Sequence, residues 1–297
     1  YQSSYLFRMA DLKDLICYHD GRFVPLGDIS LSPYDLGFLR GYAVFDVMPM
    51  ENGKPFLWER HFDRLIRSAE ALGLSVPATK DEYKSILDTL VERNLPRRQA
   101  GAAAGRLSFR TVLSGGPSPD SFVPQPGQET FLVLAEPAHA YPESMFTEGV
   151  KAITLEYERP LPQVKLANHA IAISDLPRRR EADAFEAIYV SAGEISEASQ
   201  SNVFIVKDGV LATTWENVLH GITQGLVLEL AEAAGIRAEK RGISLEELLS
   251  ADEVFMTGSS KRIVPVVRID EIAVGAGVPG PVTVRLMAAF DEYAKAY

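Results

Sequence analysis

Short apolar runs broken by turn dipeptides constrain this chain more than any other feature. Asp20-Gly21 divides LICYHDGRFVPL, and Asn52-Gly53 divides GYAVFDVMPMENGKPFLW. Ala192-Gly193 and Asp208-Gly209 punctuate FEAIYVSAGEISEASQSNVFIVKDGVLATT. A tight hairpin of type I′ needs φ > 0 at both central residues, which Gly adopts freely and Asn or Asp tolerates. Each dipeptide therefore predicts a pair of antiparallel strands. GRLSFRTVLSGG, ETFLVLAEP and GVKAITLEY read as further strands, and EVFMTGSSKRIVPVVRID as strand, turn, strand. Helical spacing appears between them. Phe62, Leu65, Ile66, Ala69 and Leu72 recur every three to four residues before Gly73. DEYKSILDTLVERN, TQGLVLELAEAAG with its stop at Gly235, and PVTVRLMAAFDEYAKAY are also helical. Ser244 with Glu247 forms a capping box at the start of SLEELLSA. GGPSPDSFVPQPG is a loop by its prolines. Strands dominate each half, with helices around them. This predicts an α+β chain of two mixed α/β domains, an N-terminal one over 9–134 and a larger C-terminal one over 148–297. The proline-bearing stretch 135–147 is the linker. YQSSYLFR, ahead of Met9, looks like a remnant and is set aside.

The chain has 297 residues, 46% hydrophobic, with formal net charge −10. That surface repels nucleic acid and anionic membranes and favours a small-molecule partner. The clusters Arg97-Arg98 and Arg178-Arg179-Arg180 are short enough to be solvated positions. A single cysteine, Cys17, excludes an internal disulfide and a Cys-rich metal site, and suits a reducing, cytoplasmic setting. Its apolar strand marks it as inert core. The five histidines are scattered, so no metal cluster is expected. No apolar run reaches a membrane span, and no signal-peptide pattern opens the chain. GxSxG, HExxH, GxGxxG and the Walker phosphate loop are all missing.

What remains is Lys165, flanked by Val164 and Leu166. A lysine is rarely desolvated without reason, and desolvation frees its neutral amine to form a Schiff base. Lys151, in GVKAI, has flanks just as apolar, so a strand lysine pointing to water stays open for both. Anion-binding turns add to the argument. NVLHGITQGLVLELA brings a strand-like run to His220-Gly221 and starts a helix at Ile222-Thr223. Gly221 allows close backbone approach, and the helix N-terminus offers N–H groups and a positive dipole end. An ordinary Thr-capped helix fits the same residues. Thr257, Gly258, Ser259 and Ser260 form a second polar turn between strands. Arg64, one turn after His61, is a third positive element or a solvated helix residue. Glu197, followed by small polar residues, is a carboxylate fit to keep a pyridine nitrogen protonated.

In this order the segments resemble the class IV aminotransferases, the pyridoxal 5′-phosphate (PLP) enzymes of fold type IV. The resemblance runs from Cys17 onward. HFDRL is similar to the family's His-x-x-Arg helix, LPQVKLAN to its lysine segment, and ISEASQSNVFIV to its Glu-x-x-x-x-Asn-x-Phe segment. LHGIT and FMTGSS are similar to its phosphate turns. The resemblance implies the D-amino-acid aminotransferase-like architecture, with the active site between the domains, and a homodimer. It implies Lys165 as the Schiff-base and catalytic lysine, and Glu197 on the pyridine nitrogen. Arg64, Gly221, Ile222, Thr223, Ser259 and Ser260 would hold the phosphate. Leu219 would pack on the ring, and Arg159 would lie near its phenolic oxygen. Ping-pong transfer of an amino group between an amino acid and a 2-oxo acid such as 2-oxoglutarate follows.

The short lysine segment and VLSGGPSPDSF look like the D-amino-acid transaminases. Branched-chain transaminases usually carry tyrosines at the positions of Arg40 and Ser108. Yet the Arg and His that clamp the substrate carboxylate in well-known D-specific members are not found after Leu113. Arg40 and Arg110 are the candidate clamps here, an arginine's fork being suited to a carboxylate. A structural ion pair is the other reading of Arg110. Phe45, His169 and Gln200 complete the candidate substrate pocket, although Gln200 departs from the small or basic residues usual there. A branched-chain or (R)-amine transaminase, an aminodeoxychorismate lyase and a non-enzymatic ligand-binding relative stay open as alternatives.

Overall fold

The structure is a computed structural model and describes residues 12–99 and 107–297, without the side chains of 96–99. The YQSSYLFR segment, the start of the N-terminal domain and the Arg97-Arg98 side chains lie outside the described residues. The chain divides into two compact units. The N-terminal unit runs to His139 and also takes 164–168 and Tyr297; 140–163 and 169–296 form the C-terminal unit. Residues 164–168, Lys165 included, and Tyr297 thus group with the N-terminal unit, where the sequence suggests one unbroken C-terminal domain after the linker.

In the N-terminal unit the strands are β1 (Ile16–His19), β2 (Arg22–Pro25), β3 (Ala43–Glu51), β4 (Lys54–Pro55), β5 (Leu107–Ser114) and β6 (Thr130–Pro137). They make an antiparallel sheet in the order β2-β1-β6-β5-β3-β4. Its hairpin turns are the dipeptides read from the sequence: φ is 44° and 84° at Asp20 and Gly21, and 48° and 80° at Asn52 and Gly53. The short helix α1 (Leu36–Arg40) begins at Asp35, whose carboxylate accepts from Gly37 N. Two longer helices follow, α2 (Trp58–Ala71) and α3 (Lys80–Gln99). Phe62, Leu65 and Ala69 of α2 join Met48, Tyr83, Leu87 and Phe109 in one core. Each such large side chain contributes about 1.5–3 kcal/mol when fully buried. Gly73, at φ 68°, lets the chain leave α2.

The C-terminal unit opens with α4 (Ser144–Thr147), β7 (Val150–Glu156), α5 (Ala170–Ser174) and α6 (Leu176–Glu181). Then come β8 (Glu186–Ser191), β9 (Glu194–Ala198), β10 (Asn202–Lys207), β11 (Val210–Thr213) and α7 (Ile222–Ala233). It closes with β12 (Ala238–Lys240), β13 (Ile243–Ser244), α8 (Leu245–Leu249), β14 (Glu253–Gly258), β15 (Arg262–Ile269), β16 (Ile272–Ala273) and α9 (Pro281–Ala296). A ten-stranded mixed sheet runs β12-β11-β10-β14-β15-β7-β8-β9-β13, with β16 beside β15. Ser244 caps α8 by accepting from Glu247 N at 3.1 Å, as its spacing predicts. Helices α5 and α6, after the lysine segment, are not foreseen in the sequence. Among the described residues no helix is long and apolar enough to cross a membrane, and no group of His, Cys, Asp and Glu is placed to hold a metal. Cys17 is buried, and desolvation pushes its thiol up to about 11, as befits inert core.

Candidate active site

The lysine segment lies along β3. Lys165 O accepts from Phe45 N at 3.0 Å, and Ala167 N donates to Ala43 O at 2.9 Å. Val44 and Leu166 form an isolated bridge, and Ser68 Oγ of α2 accepts from Lys165 N at 3.2 Å. The backbone of Lys165 is thus held between a strand and a helix. Its amine stands 4.6 Å from the centroid of the Phe45 ring. Lys151, indistinguishable by its flanks, instead reaches Glu271 at 2.8 Å in an ordinary ion pair. The structure separates two lysines that the sequence leaves tied.

Beside Lys165 lies a buried charge cluster. The His-x-x-Arg spacing sets His61 and Arg64 on one face of α2, turned toward Asp46 of β3. Asp46 Oδ1 lies 2.6 Å from His61 Nδ1 and 2.8 Å from Arg64 Nη2, and Arg64 Nε donates to Oδ2 at 2.8 Å. Asp46 is 1% exposed, His61 1% and Arg64 5%. The solvated reading of Arg64 is therefore corrected. Arg64 and His61 together hold the Asp46 carboxyl far below its usual range despite burial. Burial, offset in part by Asp46, lowers the His61 pKa, and Arg64 and Lys165 lower it further. A neutral His61 bonded to a carboxylate through Nδ1 carries its proton there. Asp46 was missed in the sequence; a charged residue inside the apolar run AVFDVM was the available signal.

The C-terminal unit holds the other candidates. Glu197, 4% exposed near the end of β9, accepts from Leu219 N at 3.3 Å. Arg159 Nε lies 2.7 Å from Glu197 Oε1, and Arg159 Nη2 reaches Ser199 O at 3.4 Å. Arg159, expected beside a ring's phenolic oxygen, is placed against this carboxylate. The LHGIT segment is built as the turn its composition suggests. A Cβ on Gly221 would stand 2.0 Å from Asn202 Oδ1, so only glycine fits, through crowding and not through φ. Asn202 Nδ2 donates to Leu219 O at 2.7 Å. Gln224 Oε1 accepts from Gly221 N at 3.2 Å, and Gln224 Nε2 donates to Thr213 Oγ1 and Thr214 O. Helix α7 starts at Ile222, and Thr223 is buried in its first turn. The second polar turn follows β14, with Ser259 half-buried and Ser260 exposed.

The donor set suits a phosphate-bearing pyridine. The α7 N-terminus presents backbone N–H groups that have no partner within the helix. Thr257 Oγ1, at the mouth of the second turn, is buried with no hydrogen-bond partner among the described residues. A buried hydroxyl left unsatisfied costs about 1–3 kcal/mol, so a site asking for an acceptor is the simplest explanation.

The substrate candidates separate. Arg110 is engaged by Glu136, with Nε 2.9 Å from Oε1 and Nη2 3.2 Å from Oε2. The ion pair offered as one reading of Arg110 is thus present, with its side chain still 38% exposed. Arg40 is exposed at the end of α1 and donates from Nε to Ser121 O at 3.0 Å. Phe45 lies beneath Arg110 and Lys165 on β3. His169 is half-buried at the N-terminus of α5, and Gln200 is exposed after β9.

Residues 43–269 match the family model for amino-transferase class IV. The D-alanine aminotransferase of Bacillus licheniformis is 32% identical over 280 residues, 92% of this chain and 95% of its own. A putative branched-chain-amino-acid aminotransferase of Methanocaldococcus jannaschii is 32% identical over 285 residues, 93% of this chain and 95% of its own. Among solved structures, a branched-chain amino acid aminotransferase from T.th. with pyridoxamine 5′-phosphate superposes with TM-score 0.85 at 25% identity, covering 96% of this chain and 95% of that one. The Escherichia coli branched-chain enzyme gives 0.81 at 28% identity, covering 96% of each. With its lysine, its carboxylate and its two polar turns in the family's order, the chain belongs to the class IV aminotransferases, PLP-dependent enzymes of fold type IV.

Proposed function

We propose that this enzyme moves an amino group between a D-amino acid and a 2-oxo acid such as 2-oxoglutarate, in ping-pong fashion, with Lys165 as its catalytic base. The observation that carries the reading is the seating of Lys165, its backbone clamped to β3 and α2 and its amine 4.6 Å from the centroid of the Phe45 ring. When bound, PLP supplies an aldehyde for the substrate's amino group and a ring that draws electrons from the adjoining carbon. Lys165 Nζ takes the substrate's Cα proton and would deliver it to the carbon that carried the cofactor's aldehyde. The Glu197 carboxylate holds a proton on the ring nitrogen, while Arg159 balances the charge of Glu197. Arg64, Gly221, Ile222, Thr223, Ser259 and Ser260 hold the phosphate, joined by Thr257, and Leu219 packs on the ring. Arg40 grips the substrate carboxylate, with Arg110, paired to Glu136, as the second candidate. Phe45, His169 and Gln200 shape the pocket around the side chain. Arg40→Ala should impair amino acids far more than (R)-phenylethylamine; equal losses would remove Arg40 from that role.

The D-alanine aminotransferases among the relatives support the D preference. The branched-chain enzymes among the relatives and solved structures support an L-branched-chain reading equally well. Half-reactions with D-alanine, L-leucine and (R)-phenylethylamine decide between them. Turnover of L-leucine but not D-alanine would end the D-specific proposal. Borohydride trapping with peptide mapping should place the reduced cofactor adduct on Lys165.

The enzyme is also proposed to act as a homodimer. Leu31, Tyr34, Phe38, Phe122 and Val123 are all exposed. Their two loops are tied together by Ser118 N donating to Tyr34 O and by Arg40 to Ser121 O. Clustered exposed apolar side chains of this kind mark association surfaces. Phe38→Glu with Phe122→Glu should yield a monomer by light scattering, and an unchanged mass would refute this face.

A further inference from the structure

Lys261 is the most deeply buried lysine described, at 3% exposure, and it does not stand among the residues proposed to bind PLP. Its amine pairs with Glu186, the first residue of β8, also 3% exposed. Each ion alone would cost several kcal/mol to desolvate, and a well-packed apolar pair of the same volume is often as stable. Stability is thus a poor reason for the pair, and its geometry suggests another. Glu186 Oε2 accepts from Gln200 N at 2.8 Å and Ser199 Oγ at 3.3 Å, and Oε1 accepts from Ser201 Oγ at 2.8 Å and from Lys261 Nζ. One carboxylate therefore fixes the whole link Ser199–Ser201, which begins two residues after Glu197.

Lys261 ends the turn that carries Ser259 and Ser260, and its N–H donates to Gly258 O at 3.2 Å. Its stem lies against Gly258, where an added Cβ would come within 2.8 Å of Lys261 Cε and 3.4 Å of Gln200 O. The register of β10 and β14 pairs Asn202 with Thr257, so both loops leave the same end of neighbouring strands. Asn202 in turn holds Leu219 O, at the start of the α7 turn. Three segments meet here, and the ion pair bolts two of them together.

We infer that Glu186 and Lys261 are positioning residues that fix the spacing between the Glu197 loop and the Gly258–Ser260 turn, and so govern how tightly PLP is retained. The inference rests on the proposed roles of Glu197 and that turn. Neither residue is placed on the cofactor itself; they act through Ser199, Gln200, Ser201 and Gly258. The lowered Glu186 pKa, set by Lys261 and these donors against burial, fits a carboxylate with every lone pair engaged.

The test is a titration of cofactor-free enzyme with PLP, read by absorbance and by near-UV circular dichroism of the bound cofactor, beside thermal unfolding of the cofactor-free form. Lys261→Met with Glu186→Gln removes both charges at similar volume. The cofactor-free double variant should unfold near the parent's temperature, yet bind PLP at least about tenfold more weakly with a diminished dichroic band. A folded double variant with the parent's Kd and dichroism would overturn the inference. Should it fail to fold, Ser201→Ala takes its place, removing one donor from Glu186 and no charge. A Kd raised about threefold would then support the inference, and an unchanged Kd would overturn it. Glu197→Ala runs alongside. If that variant too leaves Kd and spectrum unchanged, the proposed cofactor site is at fault; if only the pair variants do, the pair alone is.

Discussion

Lys165 and Lys261 make an instructive contrast. Lys261 is the more buried, yet a carboxylate meets its charge and its surroundings lock it in place. Lys165 is only half-buried, with the clamping applied to its backbone while its amine faces an aromatic ring. Their neighbourhoods differ in the same sense. Around Lys165, Asp46 serves two bases at once, Arg64 and His61. Around Lys261, Glu186 serves one cation and three neutral donors. Burial of a lysine therefore does not by itself mark the reactive amine. The amine proposed as reactive is set apart instead by a fixed backbone and by an aromatic ring 4.6 Å from its charge.

The largest effect should separate the two lysines outright. Lys165→Ala should lower the amino-transfer rate by at least about a thousandfold, within the range for loss of a general base. Its unfolding temperature without cofactor should barely move. Lys261→Met should instead lower the unfolding temperature of the cofactor-free form, by leaving Glu186 buried and uncompensated. Stopped-flow half-reactions and calorimetry of both variants would show it, and a Lys165→Ala enzyme with more than a tenth of parental rate would dissolve the contrast.

Next in size is Asp46→Ala. It strips the partner from a guanidinium that is 5% exposed, and breaking such a buried pair costs about 3–5 kcal/mol. Denaturant unfolding of the N-terminal unit measures this. A cost below about 1 kcal/mol, the value of an exposed pair, would show that water reaches Arg64. Gly221→Ala follows. Its added methyl would collide with the Asn202 carboxamide, which cannot retreat without releasing Leu219 O. Overpacking of this kind costs about 1–3 kcal/mol, and PLP binding should weaken with it. Full retention of PLP affinity would disconnect this turn from the phosphate.

The same contrast explains what the sequence disclosed. Turn dipeptides with φ > 0 leave a composition signal, so the hairpins at Asp20-Gly21, Asn52-Gly53, Ala192-Gly193 and Asp208-Gly209 were legible, as was the capping of α8. Helical spacing made His61 and Arg64 legible as a pair, though not their partner Asp46, because the strand carrying it packs against α2 from across the hairpin. Glu186 and Lys261 left no trace: they are 75 residues apart and meet only through the register of a ten-stranded sheet. Arg159 beside Glu197 is of the same kind. The membership of residues 164–168 in the N-terminal unit escaped too, because one short run of pairing with β3 has no periodicity to betray it.

The smallest predicted effect concerns acid. His61 is buried and its pKa lowered, so the folded state resists a proton that the unfolded chain accepts near pH 6.5. Between that value and the lowered folded one, the unfolded state binds more protons, and stability must fall as pH falls. The slope from this one group cannot exceed about 1.4 kcal/mol per pH unit. Glu186 and Asp46 act lower down. Their depressed carboxyls add stability that is fully present above about pH 4, the ordinary carboxylate value, and is lost as pH falls through their folded ones. The neighbourhood of Lys165 should thus be the first to yield to acid, through His61, and both should lose stability below about pH 4. Denaturant unfolding of cofactor-free enzyme at successive pH values should show His61→Gln flattening the decline that sets in below about pH 6.5 while leaving the steeper loss below about pH 4 in place. An unaltered upper slope in that variant would mean that another group takes up the proton, and that His61 is not the acid-sensitive member of the cluster beside Lys165.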